Sequence, residues 1–274
     1  MIRKWFILLL VTFLMTDPAL GQILPEFNPK KATLSNKFIK SGFMDLKDIV
    51  LAPANWQSKE WILLGGLSIG TGILFKADEG IIQWFQDNRN PQRDRFVQHF
   101  IEPWGGEVYK NYTVYSIIGT YAIGLAFKDE QSKKVAMLAT KSIILAGVFN
   151  GISKAAFGRF RPYQTQDNDP FNWQGPNLDG FYSFPSGHTM SVWVVAAVFA
   201  EEYKAQLWVP LTAYTLASAV GISRIYDNKH WASDVLVGAV FGWAIGKTVT
   251  KNNNWGLTVS TLGGNPTIGI AIHL

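Results

Sequence analysis

Six apolar runs punctuate the chain, at residues 61–75, 112–127, 135–149, 190–200, 207–222 and 235–245. None shows the two-residue alternation of a strand, and each is long enough for a helix, so the pattern predicts an all-α bundle of about six core helices. Small residues recur every four positions at Gly66 and Gly70, and again at Gly238, Gly242 and Gly246. That spacing predicts faces on which helix backbones approach closely. Every run falls short of the roughly 20 residues of a spanning helix, although flanking Trp, Tyr and Ser extend several towards it. Lys141 interrupts the third run and is expected to face the bundle interior or an anionic site.

The polar stretches between the runs divide the chain. Residues 1–21 carry Arg3-Lys4, a short apolar segment and Ala19-Leu20-Gly21, the pattern of a cleaved signal peptide. Residues 22–60 read as a lead-in segment with short amphipathic pieces, and residues 61–250 as the helical domain. Within it, residues 77–110 are polar and aromatic and predict helices at the bundle mouth. Residues 163–184 form a long irregular stretch. A loop of that length is usually functional, so Phe171, Trp173 and Phe181 are candidates for a lid or a substrate-selecting element, or for packing the loop down. After Asn252-Asn253-Asn254 the pattern alternates around Gly263-Gly264-Asn265-Pro266, predicting a short C-terminal β-hairpin over 251–274.

Composition narrows the class. Hydrophobic residues make up 48% and charged ones 16%, leaner in charge than an ordinary soluble chain. The net charge of +5 comes without a polybasic stretch, so nucleic acid is not an expected partner. Cysteine is absent, and no two histidines stand at helical ligand spacing, so the reading calls for no metal and no cofactor.

Three short segments concentrate the chemistry: Lys154 followed by Arg161-Pro162; Pro185-Ser186-Gly187-His188; and Ser223-Arg224 followed by His230 and Asp234. A phosphate ester needs fixed cations and N–H donors around one point, an in-line nucleophile and a proton donor for the leaving oxygen. Arg161 and Arg224 can each fork onto two oxygens, and Lys154 supplies a point charge. Ser186 and Gly187 precede an apolar run, where the free N–H groups of a helix start favour an anion. His230 and Asp234 are spaced one helical turn apart, so the carboxylate can hold one imidazole N–H. Taken singly, each segment has a plainer account: a basic helix cap, a helix start, a structural pair.

The three segments together resemble the type 2 phosphatidic acid phosphatase superfamily, which also holds the vanadium-dependent haloperoxidases and bacterial non-specific acid phosphatases. The resemblance covers residues 154–234. It implies that His230 is the nucleophile of a phosphohistidine intermediate, oriented by Asp234. It also implies that His188 protonates the leaving oxygen and then activates water, and that Lys154, Arg161, Ser186, Gly187 and Arg224 bind the phosphate. The expected activity is metal-independent removal of phosphate from a lipid phosphate or diphosphate, of phosphatidic acid, polyprenyl diphosphate or lipid A type. A soluble periplasmic acid phosphatase and a vanadium haloperoxidase are the alternatives. The expected setting is the bacterial cell envelope, membrane-associated, with the site facing the periplasm. That orientation fits a cleaved signal peptide if one run fails to span, and run 61–75, rich in glycine, is the candidate.

Overall fold

The computed structural model describes residues 36–105, 111–165, 168–177, 182–252, 255–262 and 265–272. The chain divides at Met44/Asp45. Of the first unit only the start of helix α1 (Asn36–Leu51) is described; the helical bundle and the three motifs belong to the second. The signal-peptide expectation at 1–21, Phe181 and His273 lie outside the described residues.

The second unit is nearly all helical. Helices α2 (Ser58–Asp87), α3 (Tyr112–Ala126), α4 (Glu130–Phe157), α5 (Gly187–Glu202), α6 (Trp208–Tyr226) and α7 (Ala232–Asn252) contain the six apolar runs, with short helical turns over residues 91–105 between α2 and α3. Polar residues set the starts. Asn111 accepts from the Thr113 and Val114 N–H groups, and Asp129 from those of Gln131 and Ser132, each satisfying two donors that the first turn leaves free. The α2 helix runs on to Asp87, past the expected end near residue 75. Charged residues do not break a helix, and it stops only before Asn90-Pro91, where Asn90 caps the next turn.

Helix α5 is the centre. Its Met190, Val194 and Val198 are fully buried among Val135, Leu138 and Leu145 of α4 and Ile245 and Val249 of α7. The α5–α7 contact is as close as backbone permits. A Cβ added to Gly238 would lie 2.6 Å from the Ser186 carbonyl oxygen, one at Gly242 2.5 Å from that of Met190, and one at Gly246 2.7 Å from that of Val194. The expectation of close packing therefore holds for this series. It fails for Gly66 and Gly70, where an added Cβ meets nothing within 4 Å among the described residues. Periodicity alone does not say which glycine face has a neighbour.

Lys141 is buried and faces the interior, 2.6 Å from Asp45 of α1, not the three motifs. Asn252 at the end of α7 donates to the same carboxylate at 3.1 Å. By length and composition α2, α4 and α7 could each cross a membrane, so the helix expected not to span is one of three that could. The α3 helix is apolar but shorter. The side chains of the tail from residue 253, where the hairpin is expected, lie outside those described.

Candidate active site

Gly158 ends α4 in the left-handed conformation (φ 63°), its N–H bonding the Lys154 carbonyl at 3.0 Å. A side chain there would collide with the Gly175 carbonyl, so the sharp turn requires glycine. The turn sends Arg159 into the core and brings Arg161 to the start of a short turn, Pro162–Gln164. Lys154, one turn before the cap, donates to the Tyr182 carbonyl.

The start of α5 meets the start of α7 because the glycine series lets them touch. Ser186 caps α5, its Oγ accepting from the Thr189 N–H at 3.4 Å, and its own N–H donates to the Asp234 carbonyl at 3.1 Å. Its hydroxyl and N–H are thus engaged within the protein. Gly187 opens the helix against Asn150, whose amide donates to the Pro185 carbonyl at 3.1 Å; a Cβ at 187 would lie 2.7 Å from Asn150 Oδ1.

His230 lies in the connection before α7, not on the helix, and its N–H bonds the Arg224 carbonyl at 3.2 Å. Its ring is fully buried, 6.2 Å from that of His188 between centroids. Its Nδ1 is 3.8 Å from the nearer oxygen of Asp234, beyond hydrogen-bonding distance. Ser183 stands between them: its Oγ is 3.2 Å from Nδ1 and donates to Asp234 Oδ2. The direct His230–Asp234 bond expected from their spacing is replaced by a serine-bridged one. Asp234 spends its position in the first turn of α7 on capping, accepting from the Trp231 N–H at 3.0 Å. His230 Nε2 is buried with no hydrogen-bond partner among the described residues.

Lys154, Arg161 and Arg224 surround the two imidazoles closely enough to change their chemistry. Burial, then the neighbouring His230 and the three cations, push His188 down to about 3. Burial, with Lys154, Arg161 and Arg224 adding to it, holds His230 well below its ordinary value. Both rings are therefore neutral in the free protein at neutral pH. Arg224 is itself buried and balanced by Asp227 at 3.2 Å and Glu102 at 3.6 Å. Burial raises Asp227 to about 6 against the pull of Arg224 and Lys229.

Four residues that the sequence pattern left without a role, Arg159, Asp78, Ser183 and Ser233, are central here. Arg159 is fully buried, with Phe75, Trp173 and Trp231 around its guanidinium at 4.4, 5.2 and 5.1 Å. Its Nη1 donates to Asp234 Oδ1 at 2.6 Å and Ser233 Oγ at 2.7 Å, and its Nη2 to Asp78 Oδ2 at 2.8 Å. Asp78, from the charged extension of α2, also accepts from the Ser233 N–H at 3.0 Å. The plainer reading of the first segment as a basic helix cap does not extend to Arg159, which is buried on carboxylates. Its place inside a motif, two residues before Arg161, was a usable signal; Asp78 had none, being far away in the chain. Trp173 of the 163–184 loop packs against Phe75, Phe157 and Phe184, while Phe171 remains exposed.

Residues 135–256 match the model of the PAP2 superfamily. The match covers a little under half of the chain, and over this segment the chain is similar to that superfamily. The PAP2 segment holds all three motifs. Lipid A 1-phosphatase of Porphyromonas gingivalis is 36% identical over 128 residues, 45% of this chain and 25% of that protein. Probable diacylglycerol pyrophosphate phosphatase 1 of Schizosaccharomyces pombe is 31% identical over 139 residues, 40% of this chain and 50% of that protein. The match thus spans between a quarter and a half of the length of these curated relatives. Among solved structures, a transmembrane PAP2 type phosphatidylglycerolphosphate phosphatase from Bacillus subtilis aligns with TM-score 0.47 at 21% identity, covering 69% of this chain and 94% of that one.

Proposed function

We propose that this protein is a PAP2-type, metal-independent phosphatase of lipid phosphates or diphosphates, working through a phosphohistidine at His230. The observation that carries the reading is the buried, unpartnered His230 Nε2 beside a second imidazole and three cations. A lone pair held there without a hydrogen bond is free to attack. As the Nε2–P bond forms, the bond from phosphorus to the leaving oxygen breaks, and His188 gives that oxygen a proton. Water then attacks phosphorus, His188 takes its proton, the P–N bond breaks, and phosphate leaves with His230 restored. Lys154, Arg161 and Arg224 stabilise the equatorial oxygens, with the Gly187 N–H at the start of α5 as a further donor, while Ser186 holds the helix start in place.

His188 must be protonated when substrate is bound. An arriving phosphate brings about two negative charges, which offset the cations that hold His188 down and raise its affinity for a proton. Substrate thereby arms its own acid.

The relatives' names, lipid A 1-phosphatase and diacylglycerol pyrophosphate phosphatase, support a lipid-linked substrate, as do the long apolar helices. We further propose a partition into a signal peptide at 1–21, a lead-in at 22–60, the phosphatase domain at 61–250 and a tail at 251–274. In the tail, antiparallel pairing of Trp255–Leu262 with Asn265–Ile272 supports a hairpin. We place the protein in the bacterial envelope with the site towards the periplasm. The test is phosphate release by purified protein in detergent with EDTA present, from phosphatidic acid, a polyprenyl diphosphate and lipid A. Release that vanadate blocks is expected. Activity lost in EDTA and restored by magnesium or zinc would overturn the reading, as would peroxide-dependent bromination in vanadate without any phosphatase activity.

A further inference from the structure

The buried chain of polar groups behind His230 has a direction. Asp234 cannot reach the imidazole itself, at 3.8 Å. The Ser183 hydroxyl owns a single proton, and Asp234 Oδ2 accepts it. Facing Nδ1 at 3.2 Å, Ser183 Oγ can then only accept, and the Ser183 backbone carbonyl is a second acceptor for the ring, so the proton of a neutral His230 must sit on Nδ1. Nε2 keeps its lone pair, and among the described residues it is the ring nitrogen left without a partner.

For this to work Asp234 must not turn. Its Oδ2 is held by Ser183 and the Trp231 N–H, and its Oδ1 by Arg159 Nη1. Arg159 is fixed in turn: Nη2 to Asp78, Nε to the Pro170 carbonyl at 2.9 Å, and its face against aromatic rings. A lysine could not make this fork. Asp78 is anchored by Ser233, so the start of α7, the end of α4 and the middle of α2 close on one guanidinium. Arg159 is fully buried, and its guanidinium is spent on Asp234, Ser233, Asp78 and the Pro170 carbonyl; it is a fourth motif cation with another task.

We propose that Ser183, backed by Asp234, Arg159 and Asp78, fixes the tautomer of His230 so that Nε2 alone is the nucleophile. This rests on the reading of His230 as the attacking group. Ser183, Arg159 and Asp78 are positioning residues, since none touches the reacting atoms. Their loss should slow the attack without weakening the cage that binds phosphate.

The test uses the full chain in detergent, labelled with ¹⁵N-histidine; the chain has four histidines, so His230 can be assigned by its loss in His230→Ala. In the unmodified protein Nδ1 of His230 should be protonated and Nε2 not. Ser183→Ala, which keeps the backbone carbonyl but loses the hydroxyl link to Asp234, should raise the share of the Nε2–H form and lower kcat by about 10- to 100-fold, as for other groups that orient a functional imidazole, with KM within about twofold. Arg159→Lys and Asp78→Asn should lower kcat in the same direction with KM equally unmoved. An Nε2–H signal in the unmodified protein would overturn the proposal without any variant. So would Ser183→Ala with unchanged kcat and tautomer, or variants whose loss lies in KM. Turnover retained by His230→Ala would instead overturn the nucleophile reading, and this inference with it.

Discussion

At the scale of single residues, the two histidines are distinguished by surroundings that their one-letter code does not carry. His230 is fully buried with one nitrogen committed to Ser183; His188 opens α5 beside it. His230→Ala should abolish turnover. His188→Ala should cost about 100- to 10,000-fold with alkyl phosphates, the usual worth of a general acid, and much less with p-nitrophenyl phosphate, whose leaving group needs little help. Equal losses for both substrates would remove the acid role. The depressed His188 also ties stability to pH. The folded protein resists protonation down to about 3, whereas the unfolded chain takes up the proton near 6.5. Between those values the unfolded state binds more protons, so this contribution to stability is intact above about 6.5 and is lost progressively as pH falls. Tm should therefore fall more steeply from pH 6.5 to 4.5 in the unmodified protein than in His188→Ala. Parallel curves would contradict the burial argument. His188 and His230 were legible as chemistry because two of four histidines stand in motifs. Arg159 and Ser183 stood in or beside the same motifs, but nothing in a linear pattern separates a cation that meets phosphate from one that meets aspartate.

At the scale of elements, the contact between α5 and α7 decides where the chemistry sits. The glycine series brings the starts of these helices together, and with them Ser186 and Asp234. Gly242→Ala places a methyl against the Met190 carbonyl and the Trp193 side chain, an overpacking that typically costs about 1–3 kcal/mol. Gly70→Ala fills open space in a helix interior and should be stabilising by up to about 1 kcal/mol. Thermal unfolding in detergent should give opposite signs for the two. If both move Tm the same way, the close contact is not what holds α5 on α7. The sequence marked both glycine series alike, because a four-residue spacing reports a helix face and not its neighbour.

At the scale of the whole molecule, the decisive question is which side the site faces. Helix α4, 28 residues long, spans about 42 Å at the usual rise, with Lys154 near one end and Glu130 at the other. Tyr163, just beyond the cage end, is exposed, as is Glu130. Single cysteines in this cysteine-free chain, Glu130→Cys and Tyr163→Cys, should therefore report opposite faces if α4 crosses a membrane. We expect an impermeant thiol reagent to label position 163 and spare 130 once the outer membrane is opened. Labelling of both would favour a peripheral protein, and labelling of 130 alone would reverse the orientation.

The sequence by itself determined the helices and the motifs. Apolar runs without strand alternation admit little else, and three motifs with the right spacings are recognisable before any fold is known. The tertiary structure alone decided how those parts are used. It extended α2 past its apolar run so that Asp78 could reach Arg159, and it turned Lys141 onto Asp45. It also put a serine where direct contact between His230 and Asp234 was expected. The reason is physical: helix formation depends on neighbours within a turn or two, whereas a buried charge is satisfied by whatever partner the packing delivers, at any distance along the chain.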